Sequence, residues 1–385
     1  MRTTSFLKLA LAAMLIATPA EMCGQSFLKK LGKGLDKVLS AGSTSKQNQK
    51  KPAATAQNKT VATNQNAGGD IVIGDMLIRP YGDNPNCGFQ FVMARREGEY
   101  VNVYFYLTNK NNQPLNNLWM RNYGDDAVKA NNLSGAAYQV ARLSFGSQSS
   151  SEGLSTNIPA QGKVLGCISL ANIMMGTEHI SDIHINLSAA IGMDASRKAF
   201  GFLLNTMPIT EFVLKKGGLG NLDFTRPVSQ FPKSVRGLYD KIETETVLNE
   251  MEGYEETYVN FMLNGKKVMT GISDSEGTEK ILSSLTAEAP IVFTPRGIYP
   301  GMTVQKAFEK GAIYGREGWM EGLRENKYWM QYEGQMTPAG QQKYQKACEV
   351  YEKQLDRNPN ATFSSNILAT DFKPDAKIFN IMLYF

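Results

Sequence analysis

FQFVMARREGEYVNVYFYLTN, residues 89–109, alternates apolar and polar side chains on either side of a short polar break. Val101, Val103, Phe105 and Leu107 interleave with Asn102, Tyr104, Tyr106 and Thr108, the period-two pattern of a half-buried strand. Ahead of them Phe89, Phe91 and Met93 interleave with Gln90 and Val92, and residues 95–98 are polar enough to turn the chain. A hairpin with one apolar face is predicted. Such a face needs a second layer to cover it, so a sandwich is implied.

The neighbouring sequence supplies that layer. Residues 71–78, 115–123, 138–145, 163–170, 180–187 and 199–204 read as strands separated by Gly, Asn, Ser and Pro clusters. Short strands at this spacing suggest a β-sandwich. The opening Asp70-Ile71-Val72-Ile73, the central Val-x-Val-x-Phe-x-Leu-Thr-Asn of 101–109, and Ile158-Pro159-Ala160-Gln161-Gly162-Lys163 before a strand resemble secreted bacterial immunoglobulin-like domains. The resemblance spans about residues 70–210, rests on structural motifs, and implies an immunoglobulin-like fold without implying an activity. The Cys-Trp-Cys arrangement of antibody domains is not met.

Downstream, the Gly- and Lys-rich residues 214–226 read as a hinge. A phosphate-binding glycine loop would need a strand before it and a helix after it, and an extended segment follows instead. Residues 235–242, 254–263, 266–272 and 280–286 read as strands, and Asn264-Gly265 is a type I′ hairpin signal because both turn positions need positive φ. Thr303 is a candidate N-cap for a helix over 304–310, and Thr337-Pro338 opens a longer one carrying Tyr344, Cys348, Tyr351 and Leu355 on one face. The Gly-x-x-x-Gly-Met-Thr entry at 297–303 is similar to exported modules related to the β-lactamase-inhibitor-like fold. The ending Phe379, Ile381, Leu383, Phe385 resembles the last strand of an outer-membrane barrel, but the many lipid-facing strands of a barrel are missing, so a buried terminal strand is predicted.

Upstream, residues 1–24 read as a secretory signal, with Arg2 and Lys8 before an apolar core too short to span a bilayer. Cleavage before Gln25 and after Ala20 both fit. Cys23 offers lipoprotein anchoring as an alternative, against which stands the bulky Met22 before it. Residues 25–41 place Phe27, Leu28, Leu31, Leu35, Val38 and Leu39 among lysines at helical spacing. Such a basic amphipathic helix either docks on its own protein or makes peripheral contact with an anionic membrane. Residues 42–69 hold almost nothing to bury and read as a disordered linker.

Composition narrows the chemistry. The chain has 385 residues, a net charge of +5 and only two histidines and four cysteines. The mild, scattered charge gives no case for nucleic acid. No C-x-x-C, H-E-x-x-H or G-x-S-x-G motif occurs, which leaves no motif for a metal, cofactor or activated nucleophile. His179 and His184, five apart on one strand, fall on opposite faces. Asp83, Asn84, Asn86, Asp125 and Asp126 are loop oxygens without the regular spacing of a calcium loop. Cys87 and Cys167 are candidates for a bridge between strands, with Cys348 left free.

Trp119, Arg121 and Tyr123 alternate with Leu118 and Met120 and form the candidate binding stripe. Exposed, a guanidinium between two aromatic faces grips a sugar ring or a partner's side chain. Alternatively, Trp119 packs into the sandwich core. Trp319, Trp329, Tyr328 and Tyr332 repeat the pattern more weakly.

The sequence thus implies a mainly β chain with an α+β part: an immunoglobulin-like β-sandwich over 70–213, then an α+β domain with an antiparallel sheet over 227–385. It resembles secreted Bacteroidetes-type proteins. The implied role is a non-catalytic binding or scaffold protein of the periplasm or cell surface, with a protein or glycan partner. A secreted hydrolase of polysaccharide or peptide and a lipid-anchored assembly factor are the alternatives. Intact-mass spectrometry of the native protein is predicted to find about the first twenty residues removed, and a full-length species in the cytoplasm would contradict export.

Overall fold

The computed structural model describes residues 64–65, 71–193, 196–220, 222–249, 254–273, 279–317, 320–358 and 361–385. The signal segment with Cys23, the 25–41 helix, the 42–69 linker apart from Asn64 and Gln65, and Trp319 lie outside the described residues. The fold is mainly β, with several antiparallel sheets and few helices. No described helix is long and apolar enough to cross a membrane.

The first half contains β1 (Asn64–Gln65), β2 (Ile71–Ile73), β3 (Met76–Gly82), β4 (Cys87–Glu97) and β5 (Tyr100–Asn109). Next come β6 (Leu115–Arg121), β7 (Lys129–Asn131), β8 (Gln139–Phe145) and β9 (Gln148–Ser150). β10 (Gly153–Ile158), β11 (Lys163–Ala171), β12 (His179–Ile191) and β13 (Lys198–Pro208) complete it. One sheet runs β1-β2-β3-β13-β12-β6-β10 with β7 beside β12, and the other runs β4-β5-β11-β8-β9. Val101, Val103, Phe105 and Leu107 are buried between them, as their alternation predicts, against Ile183, Ile185 and Phe202. The rings of Phe89 and Phe202 meet across the layers at 4.7 Å. Residues 71–78 are not one strand: Gly74, at φ +60°, turns them into the β2–β3 hairpin.

The break in the 89–109 hairpin is tighter than its composition suggests. β4 continues through Glu97, which pairs with Tyr100, so only Gly98 and Glu99 turn. Arg95 and Arg96, read as turn residues, lie in the strand at 1% and 4% exposure. Tyr104 and Tyr106, assigned to the polar face, are buried as well. The reason is the second half of the chain, which meets the outer face of this sheet. Arg95 hydrogen-bonds Glu97 at 3.0 Å through Nε and donates to the Gly237 carbonyl, while Arg236 donates back to the carbonyl of Val92. The Tyr104 hydroxyl donates to Glu97 at 2.8 Å, and burial, reinforced by Glu97, holds its phenol well above the ordinary range. Arg96 reaches Glu211 at 2.6 Å, and the Gly98 amide donates to Pro290 at 2.7 Å.

The second half begins with β14 (Phe212–Lys215), β15 (Gly218–Leu219) and β16 (Leu222–Asp223). β17 (Lys241–Asn249), β18 (Tyr254–Leu263), β19 (Lys266–Ser273), β20 (Ser284–Ala287) and β21 (Val292–Phe293) precede α1 (Val304–Glu309). β22 (Ile313–Glu317), β23 (Met320–Glu325) and β24 (Tyr328–Glu333) lead to α2 (Pro338–Leu355) and β25 (Lys377–Tyr384). Eight strands form one antiparallel sheet in the order β17-β18-β19-β20-β25-β24-β23-β22, and β14 lies parallel to β21 in a smaller one. Thr303 and Thr337 cap the two helices as expected, accepting from the amides of Lys306 and Gly340. Asn264 and Gly265 hold φ of 54° and 73°, the primed turn read from their identities.

Three expectations are corrected. Residues 214–226 are not a hinge, because Leu214, Leu219, Leu222 and Phe224 belong to the second core; the cores part between Met207 and Phe212. Of the predicted strand 235–242 only the last two residues extend: residues 235–240 turn, with Val235 and Tyr239 bridged to each other, and the strand starts at Lys241. Cys87, Cys167 and Cys348 are all free thiols. Cys87 stands level with Asn109 of β5 and packs in the sandwich core, whereas Cys167 stands level with Tyr104 and packs on the outer face, so the sheet separates them. The terminal strand β25 does lie inside its sheet, between β20 and β24, although Phe379 and Phe385 stay exposed.

Arg95→Ala removes the cation that Glu97 and the Gly237 carbonyl meet inside the seam. The expected loss is about 3 kcal/mol or more in denaturant unfolding, the usual cost of breaking a buried pair from one side. A loss near zero would mean that the seam does not depend on it.

Candidate functional site

The outer face of the larger sandwich sheet carries the site. On β6, Leu115, Leu118 and Met120 point into the core, which sends Trp119 and Arg121 to the opposite face. The core reading of Trp119 therefore does not hold: the indole is only partly buried. Its cross-strand neighbours are Ser155 of β10 and Ser188 of β12, and small side chains on both flanks leave its edges unwalled.

Just before Trp119 the strand is irregular. The register of β6 shifts against β10 between Thr156 and Ile158, and against β12 between Ser188 and Ala190. Asn117 takes φ +48°, a left-handed conformation that Asn tolerates better than most side chains. Such bulges re-aim side chains and end local pairing. Here the amide of Asn117 turns from the ladder to the Asn157 side-chain oxygen at 2.8 Å. Asn116 donates to the Gly192 carbonyl at 2.7 Å. The result is a concavity of about 570 Å³ lined by Asn116, Asn117, Trp119, Asn157, Gly192 and Arg197.

Arg197 lies with its guanidinium carbon 5.8 Å from the Trp119 ring centroid and donates to the carbonyl of Asn117 at 3.1 Å. Neither Arg121 nor Tyr123 lines the concavity. They adjoin it: Tyr123 is 52% exposed beyond the strand, and Arg121 sits 5.6 Å from its ring. Arg121 is also paired with Asp126 at 2.5 Å, so its charge is already matched. The sequence located Trp119 and missed Arg197, Asn116, Asn117 and Asn157. Only the paired Asn116-Asn117 inside an otherwise apolar-patterned strand signals a bulge.

The remaining candidates have structural partners. His184 faces out beside Asp182 at 3.5 Å, while Ile183 and Ile185 face in. Asn84 caps the amide of Cys87 at 2.7 Å. Trp329 and Tyr328 are buried in the second half, so they form no exposed stripe. Glu321 accepts from Tyr314 at 2.6 Å and Tyr344 at 2.8 Å, which ties α2 to β22 and β23. Among the described residues no cluster of His, Cys, Asp and Glu has the geometry to hold a metal ion.

Arg121→Ala is expected to leave the unfolding temperature nearly unchanged, because its ion pair with Asp126 is solvent-exposed and screened. Thermal unfolding checks this; a clear drop would place Arg121 in a structural role. Comparison of the chain with protein-family models and with curated proteins finds no match.

Proposed function

We propose that this chain is an exported cell-envelope protein that binds a partner without catalysing a reaction, and that the Trp119 concavity is its contact surface. The observation that carries this reading is the partly exposed indole beside a strand distortion that opens a polar groove at its edge. Aromatic rings with one open face concentrate binding energy when a partner desolvates them. The groove stands on a sandwich whose other outer face is closed by the second half of the chain, so the contact residues are held on a firm frame. Residues 1–24 support export, through the charged start and short apolar core.

The test is retention of envelope material by immobilised protein. Wild type is expected to retain a component that Trp119→Ala loses or binds about tenfold more weakly, with the unfolding temperature as the control. Retention equal in the variant would remove the groove from the contact surface. Turnover of a glycan or peptide, abolished by a single carboxylate substitution, would replace the binding reading altogether.

A further inference from the structure

Resting on that binding reading, we infer that the concavity takes a saccharide, with a pyranose ring laid on Trp119 and its hydroxyls met by Asn116, Asn117, Asn157 and Arg197. The chemistry of the lining selects this class. Asn116 uses its amide N–H on Gly192, and its side-chain oxygen carries no hydrogen bond among the described residues. Asn157 is the converse: its oxygen accepts from the Asn117 amide, leaving the side-chain N–H groups available. The Asn117 side chain makes no hydrogen bond among the described residues, while its backbone N–H donates to Asn157 and its carbonyl accepts from Arg197. The groove therefore offers both donors and acceptors close together, which suits hydroxyls, since each hydroxyl is both.

Other classes fit less well. A phosphate or sulfate would call for several cations, and among the described residues Arg197 is the only charged one lining the groove. An apolar peptide side chain would need an enclosed apolar pocket, whereas among the described residues Trp119 and Ala190 are the only apolar side chains in the lining. A sugar ring has one face of C–H groups for an indole and a rim of hydroxyls for amides, matching one aromatic plate edged by three asparagines. Arg197, held over the indole and anchored to Asn117, fixes one wall and presents further N–H donors at the rim.

The experiment uses the full chain and an envelope extract divided into three portions: untreated, digested with protease, and oxidised with periodate, which cleaves vicinal diols. Material retained from the untreated portion is expected to persist after protease and to disappear after periodate. Trp119→Ala and Arg197→Gln are each expected to weaken its retention about tenfold. Arg197 is exposed, so its variant keeps the test valid if Trp119→Ala does not fold. Retention that survives periodate overturns the saccharide assignment, and if it also depends on Trp119, the binding reading stands with a different ligand. No retention from the untreated portion overturns both.

Discussion

A guanidinium held at 1% exposure inside a β-sheet protein needs its charge and its donors answered on the spot, and Arg95 is placed where both halves of the chain help to answer it. Glu97, two residues along the same strand, supplies the counter-charge, and the Gly237 carbonyl supplies an acceptor from the other half. Arg236 returns the arrangement by donating to Val92. Each half thus sends an arginine to the other's backbone. Such contacts demand a fixed geometry, because a displaced partner leaves a buried charge unmatched. Arg96 with Glu211, and the Gly98 amide with Pro290, extend the seam along the same strand and turn.

This seam explains why the two outer faces of the sandwich differ. The smaller sheet is buried on both sides over β4, β5 and β11, where Tyr104, Tyr106, Leu165 and Cys167 form their own cluster beneath the seam. Tyrosine suits such a position, with a broad apolar ring and, in Tyr104, a hydroxyl that donates to Glu97. In Cys167, burial raises the thiol well above its ordinary value, which keeps it neutral and unreactive there. The larger sheet keeps its outer face in solvent and carries polar side chains, Asp182, His184 and Asn186, with Trp119 and Arg121 on the same side.

What the sequence made legible follows from which contacts are local. Alternation at 101–107 located the sandwich core, because inward burial of Val101 to Leu107 depends on the period of one strand. Thr303, Thr337 and Asn264-Gly265 were legible for the same reason: caps and primed turns are settled within four residues. Arg95, Tyr104 and residues 214–226 were misread because their surroundings come from the far half of the chain. A polar residue buried by a distant partner looks, in sequence, like a polar residue in a turn. The candidate site was half legible. Trp119 stood out by type, whereas Arg197 arrives through the pairing of β12 with β13 and β6, which no short-range pattern encodes.

The backbone at Asn117 gives the groove its physical logic. A non-glycine residue in the left-handed region costs on the order of 1 kcal/mol, and it persists only where its surroundings over-determine it. Three contacts do so here: the Asn157 oxygen on its amide, Arg197 on its carbonyl, and Asn116 holding Gly192 beside it. A regular β6 would pair straight across to β10 and β12 and close the gap between them. The distortion instead exchanges ladder hydrogen bonds for side-chain ones and leaves amides facing outward next to the indole. Arg121, one turn of the alternation further on, lies where β6 again pairs regularly with β10, and its charge is matched by Asp126. Polar groups with capacity left for a ligand therefore gather at the distorted end of the strand, beside Trp119, rather than along the Trp-Arg-Tyr stripe as a whole.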